Sequence, residues 1–143
     1  MASACWVFSS NGDVPPDAFV GGEDNGEPVF VVRGSLNNSQ VPGKLLSSHG
    51  CCYVPWGGKE NPLTEYEVLC DFNGMWIDCS GANIPPNALT GGETEDGEPL
   101  YVGRVFHDGT LTVGKVQPSH GVCYVPYGGE ELPYQDYQIL VEC

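Results

Sequence analysis

The sequence predicts an all-β fold: two tandem, pseudo-twofold-related repeats of antiparallel sheets that share one core in a sandwich-like or prism-like assembly. Three observations carry this expectation. The chain is written twice, its apolar runs are short and rich in β-branched and aromatic residues, and tight-turn dipeptides separate them. No window sustains a helical period.

The duplication spans almost the whole chain. "WVFSSNGDVPPDAFVGGEDNGEPVFVVR" starts at Trp6, and "WIDCSGANIPPNALTGGETEDGEPLYVGR" starts at Trp76. The copies then run through "VPGKLLSSHGCCYVPWGG" and "TVGKVQPSHGVCYVPYGG". One residue is inserted in the second copy, near Glu95. The repeats are assigned to residues 5–71 and 72–143. A period of about 70 residues is too long for the usual solenoids and reads as a duplication inside one compact domain.

Each element has a local reason. "EPVFVVRG", "CCYVPW" and "YEVLCDF", with their copies "EPLYVGRV", "VCYVPY" and "YQILVEC", are strand-forming runs. Asn-Gly at Asn11, Asn25 and Asn73 and Asp-Gly at Asp96 and Asp108 mark tight turns. Pro15-Pro16 and Pro85-Pro86 exclude helix around them. A module this small buries little by itself, so the halves are expected to share a core and exchange strands.

Charge and composition exclude several classes. The net charge is −14, with only five basic residues, so nucleic acid and anionic membrane surfaces are disfavoured. No stretch has the length and apolarity of a membrane-spanning helix. The opening "MASACWVFSSNGD" lacks the basic and apolar regions of a secretory signal. Without one, the glycosylation-type triplet at Asn37 reads as chance. Seven cysteines are an odd number, and reduced thiols are the expectation.

"SHGCCYVPWGG" at Ser48–Gly58 returns as "SHGVCYVPYGG" at Ser119–Gly129. His49 and Cys52, or His120 and Cys123, stand three apart, which in an extended segment sends them to opposite faces. A local Cys–His dyad is therefore disfavoured. A zinc site is disfavoured too, because no Cys-x-x-Cys pair exists. The motif reads as scaffold, with Cys52 and Cys123 in the core and the Gly-Gly pairs as turns.

Matched charges are more informative. Arg33 pairs with Arg104 and Lys44 with Lys115 between the copies, whereas Lys59 stands opposite Glu130 and is not kept. The acids Glu23 and Asp24 of the first Gly-Gly loop correspond to Glu93 and Thr94 or Glu95 of the second. Glu27 and Glu98 head the following strands and are expected to cap or pair locally. A carboxylate accepting from hydroxyls, a lysine donating to them and a ring to cover an apolar face suit a sugar. Tyr53, Trp56, Tyr124 and Tyr127 supply the rings. Surface ion pairs are the alternative role for the two lysines.

The doubled Pro-Pro, Gly-Gly-Glu, Gly-Lys and His-Gly-x-Cys-Tyr-x-Pro-aromatic-Gly-Gly pattern resembles the DM-nine repeat family, and its two-repeat mannose-specific lectins in particular. The resemblance implies a non-enzymatic, all-β homodimer that recognises mannose and mannose-rich glycans on microbial surfaces, needs neither metal nor cofactor, and agglutinates in innate immunity. It places the sugar on Asp24 or Glu23 with Lys44, and on Glu93 or Glu95 with Lys115. It also implies an extracellular, plasma-like location, with export independent of a classical signal and a cytoplasmic pool as the alternative. Two other functions remain open at the sequence level: a glycoside hydrolase using the loop carboxylates, and a structural module of a toxin-like protein.

Overall fold

Every strand-forming run quoted above is a strand in the computed structural model, which describes residues 4–143. The first half holds β1 (Cys5–Ser10), β2 (Val20–Asp24), β3 (Glu27–Leu36), β4 (Ser39–Leu46), β5 (Cys51–Trp56), β6 (Lys59–Leu63) and β7 (Glu65–Cys70). The second half holds β8 (Gly74–Ser80), β9 (Thr90–Glu93), β10 (Pro99–His107), β11 (Thr110–Gln117), β12 (Val122–Tyr127), β13 (Glu130–Tyr134) and β14 (Asp136–Glu142). The only helical turns among the described residues are single 3₁₀ turns at Ser47–His49 and Pro118–His120. Each ends on a glycine in the left-handed region, Gly50 at φ 72° and Gly121 at φ 67°.

The fold is all-β, as the sequence predicts, but the strands are not two stacked sheets. One sheet closes on itself: β2, β3, β4, β9, β10 and β11 pair in sequence and β11 returns to β2. The closure is made by exchange between the repeats. Glu23 on β2 pairs with Leu111 on β11, and Glu93 on β9 pairs with Gln40 on β4. At the far side the tips of β6 and β13 meet, Lys59 opposite Glu130.

Glycine makes the exchange sterically feasible. A Cβ on Gly22 would lie 2.0 Å from the Leu111 carbonyl oxygen, and one on Gly92 2.0 Å from that of Gln40. The Gly-Gly pairs before the loop acids therefore admit the other repeat's backbone.

Turn chemistry follows the sequence at most positions. Asn11-Gly12, Asn25-Gly26 and Asp108-Gly109 carry consecutive positive φ, as a type I′ hairpin requires. Asn37-Asn38 does the same without glycine. Asn73-Gly74 departs from expectation. Asp71 takes the positive φ there, at 50°, and Gly74 enters β8 under the Phe72 ring.

Burial divides three ways. Val29, Val31, Leu46 and Leu69 pack with Leu89, Val102, Val113 and Leu140 in a core shared by both repeats. Val32, Val41, Leu45, Cys52 and Val68 form a lobe of the first repeat, and Val105, Val116, Cys123, Val125 and Ile139 form its counterpart in the second. The paired arginines belong to the scaffold. Arg33 lies 4.3 Å from the Trp6 ring centre and bonds Glu67, while Arg104 lies 4.4 Å from that of Trp76 and bonds Gln138 and the Gly21 carbonyl.

Gly22→Ala should destabilise the chain by about 3 kcal/mol or more, because the added carbon meets backbone that cannot move independently. Gly97→Ala, at φ 85° with nothing within 4 Å, should cost about 1–2 kcal/mol of backbone strain alone. Urea unfolding of the two variants checks the difference.

Candidate functional site

Lys44 on β4 and Lys115 on β11 occupy strands that are buried along most of their length. Both side chains are nearly enclosed, with 3% and 2% of the residue exposed, so they are not surface ion pairs. The preceding glycine explains the depth. A Cβ on Gly43 or Gly114 would lie 2.2 Å from the Tyr53 or 1.9 Å from the Tyr124 carbonyl oxygen, so the neighbouring strand can press close.

In strand register Lys44 stands opposite Tyr53, and Lys115 opposite Tyr124. Directly opposed residues share a face, which sets each tyrosine beside its lysine. The histidine of the repeated motif orients that ring. His49 Nδ1 lies 2.9 Å from the Tyr53 hydroxyl, and His120 Nδ1 lies 2.7 Å from that of Tyr124. The motif's cysteines take no part. Burial pushes the Cys52 thiol up to about 12 and raises that of Cys123 as well, the opposite of what a nucleophile needs. All seven cysteines are free thiols.

The second ring at each lysine comes from the other repeat. Lys115 Nζ lies 4.2 Å from the Trp56 ring centre and 5.2 Å from that of Tyr124. Lys44 Nζ lies 4.9 Å from the Tyr127 ring centre and 6.0 Å from that of Tyr53. A carboxylate completes each centre: Glu131 Oε2 at 3.0 Å from Lys115, and Glu60 Oε2 at 3.5 Å from Lys44. Glu131 Oε2 is buried and has no hydrogen bond of good geometry, despite its closeness to the ammonium. Around Lys115 these groups open into a cavity of ≈ 490 Å³, which Glu95, Asp96 and Glu98 also line.

The sequence-nominated acids separate. Glu95 lines the Lys115 cavity, its N–H donating to Ser39 Oγ at 3.0 Å. Asp24 is half-buried, and its charge acts on Lys44. Glu23 is exposed on β2, and Glu93 is exposed in a separate cleft beside Ser39 and Gln40. Glu27 and Glu98 do pair, but with residues 21 positions further along the chain. Each accepts from a backbone N–H and a hydroxyl, Ser48 for Glu27 and Ser119 for Glu98.

Glu60 and Glu131 were missed from sequence. The signal was present, because both follow the Gly-Gly turn by one residue in "GGKE" and "GGEE".

Electrostatics follow from burial. Desolvation lowers the pKa of Lys44 and of Lys115, opposed by Glu60 and Asp24 at the first and by Glu131 and Glu98 at the second. Burial pushes the Glu98 carboxyl up, but the Ser119 and Gln117 hydrogen bonds outweigh it and leave the pKa below 4.5.

The profile of the DM9 repeat matches residues 1–62 and 23–134. The chain belongs to the DM9 repeat family. It is 26% identical to Natterin-4 of Thalassophryne nattereri over 140 residues, covering 91% of this chain and 32% of that protein. To Natterin-3 of the same fish it is 28% identical over 93 residues, covering 62% of this chain and 23% of that protein. The chain thus spans a third or less of these relatives' length. Its fold matches that of the nematode sperm cell motility protein MFP2B with a TM-score of 0.73, over 100% of this chain and 47% of the other. At 13% identity that likeness is one of fold alone.

Two titrations test this electrostatic picture. Lys44 and Lys115 should lose their protons below the ordinary 10.5, read from their Nζ resonances by NMR. Glu98 binds its proton less tightly folded than unfolded, so its stabilisation is whole above pH 4.5 and is lost as pH falls through the lower folded value. Urea unfolding should therefore show Glu98→Gln less stable than wild type at neutral pH, with the gap closing in acid.

Proposed function

We propose that this DM9 repeat protein is a lectin that binds mannose and mannose-containing glycans without a metal, and that it performs no catalysis. The observation that carries the reading is the Lys115 centre: a buried ammonium close to two aromatic rings, beside a carboxylate, in a cavity that further acids line. An ammonium donates to sugar oxygens and carboxylates accept from sugar hydroxyls. Trp56 and Tyr124 offer apolar faces to the C–H side of a pyranose.

The Lys44 centre repeats the ammonium, the two rings and the carboxylate, with Asp24 as its loop acid, so one chain would present two sites. Clustered microbial glycans would then be held by avidity, more so in a homodimer acting outside the cell. The carboxylates favour binding over glycosidic chemistry. A general acid needs a raised pKa, whereas Glu98 is held ionised by its hydrogen bonds and Glu131 faces an ammonium.

Calorimetric titration with mannose tests the reading. Binding in the micromolar-to-millimolar range should survive EDTA. It should disappear in Lys44→Met/Lys115→Met, which keeps side-chain volume while removing both ammoniums. Trp56→Ala should weaken the Lys115 site by about tenfold. Absence of heat with mannose and related hexoses would overturn the lectin reading; undiminished binding in the double variant would overturn the site.

A further inference from the structure

Glu60 and Glu131 each use both carboxylate oxygens, and the second oxygen crosses the repeat boundary. Glu131 Oε2 faces Lys115 at 3.0 Å, while its Oε1 accepts the Gly58 N–H at 2.9 Å. The Glu131 backbone N–H also donates to the Gly58 carbonyl at 3.1 Å. The mirror arrangement holds in the other half. Glu60 Oε2 faces Lys44 at 3.5 Å, its Oε1 accepts the Gly129 N–H at 2.9 Å, and its own N–H donates to the Gly129 carbonyl at 3.0 Å.

Gly58 closes the turn that begins at Trp56, and Trp56 is the ring over Lys115. Gly129 closes the turn that begins at Tyr127, and Tyr127 is the ring over Lys44. The turn residues Gly57 and Gly58 sit at φ 62° and 80°, and Gly128 and Gly129 at 61° and 85°. This is a type I′ reversal, and it turns an N–H toward the other repeat's carboxylate.

We propose that Glu60 and Glu131 are positioning residues that assemble each binding centre from both repeats: one oxygen holds the lysine ammonium, and the other fixes the Gly-Gly turn that carries the opposite repeat's ring over that ammonium. This deepens the lectin reading, since it says what shapes the sugar platform, but the geometry exists without any sugar. Only 9% of the Glu131 side chain and 13% of the Glu60 side chain is exposed, so water competes weakly for these bonds. A hydrogen bond from a backbone N–H to a carboxylate is of the stronger, charge-assisted kind. The consequence is crossed dependence: a substitution in the second repeat displaces a ring of the first.

The test reads the three tryptophan indole N–H signals by NMR in the full chain, without ligand. Trp56 is assigned by its loss in Trp56→Phe. Glu131→Ala should shift the Trp56 signal and leave Trp6 and Trp76 in place. Glu60→Ala, which acts at Tyr127, should leave Trp56 nearly unmoved. Glu131→Gln retains an acceptor for Gly58, so it should hold the Trp56 signal while the Lys115 ammonium signal moves. Should Glu131→Ala not fold, Glu131→Asp keeps the charge but cannot span both partners, and the same Trp56 shift is expected of it. A Trp56 signal unmoved in Glu131→Ala, or in Glu131→Asp where that variant replaces it, would overturn the proposal, as would equal shifts of all three indoles. Because no sugar is present, the result stands whether or not mannose binds.

Discussion

The close approach of β2 to β11 and of β9 to β4 is the constraint on which the rest of the molecule depends. Gly22 and Gly92 allow it, since a Cβ at either would lie 2.0 Å from a carbonyl oxygen of the other repeat. Once those strands pair, each repeat's sheet is continued by its twin, and the barrel closes without a free edge at that point. The same closure brings the β5–β6 hairpin against β12 and β13, and the β12–β13 hairpin against β5 and β6. The aromatic at each hairpin tip therefore falls on the opposite lysine. Strand exchange is thus the step that makes a site as well as a fold.

The lysine centres are not arranged for stability. An ammonium removed from water costs several kcal/mol, and an ion pair recovers that cost only with good geometry. Here one carboxylate faces each lysine, at 3.0 Å and 3.5 Å, and two rings add an attraction of about 0.5–2 kcal/mol each. A pair of apolar residues would fill the same space at lower cost. Twice-kept burial of an expensive group, at Lys115 beside an open cavity, is not explained by stability alone. Arg33 and Arg104 make the contrast. They stack on Trp6 and Trp76 and are hydrogen-bonded to the sheet, Arg33 to Glu67 and Arg104 to Gln138 and to the Gly21 carbonyl of the other repeat.

Much of this was legible in the sequence. Duplication, β-rich runs and Asn-Gly turns gave the all-β, two-repeat, shared-core architecture, because each rests on local chemistry. Lys44 and Lys115 stood out because five basic residues in a chain of −14 charge leave few positions to consider. What was not legible depends on the exchange. Gly21-Gly22 reads equally well as a ligand loop and as a strand crossing, and only the partner strand decides between them. Trp56 and Tyr127 were nominated as rings, but that each serves the other repeat's lysine cannot be read from a linear order. Glu60 and Glu131 escaped because their significance lies in contact with Gly129 and Gly58, residues about one repeat away.

The two centres have also diverged, and in a direction that follows from the same geometry. Tyr127 is braced from its own repeat: its ring meets His107 edge-on at 4.6 Å, and its hydroxyl reaches Asp108 at 3.5 Å. His107 in turn bonds the Tyr134 hydroxyl. The corresponding positions of the first repeat are Leu36, Asn37 and Leu63, which supply no such hydrogen bonds. Trp56 instead packs, with Leu36 and Leu63, against the apolar lobe of the first repeat. A smaller ring held by an edge-on histidine and a hydroxyl contact and a larger ring held by apolar packing have different freedom to move over the ammonium beneath them. Duplication preserved the charged floor of both sites, while the ring above each was left to vary.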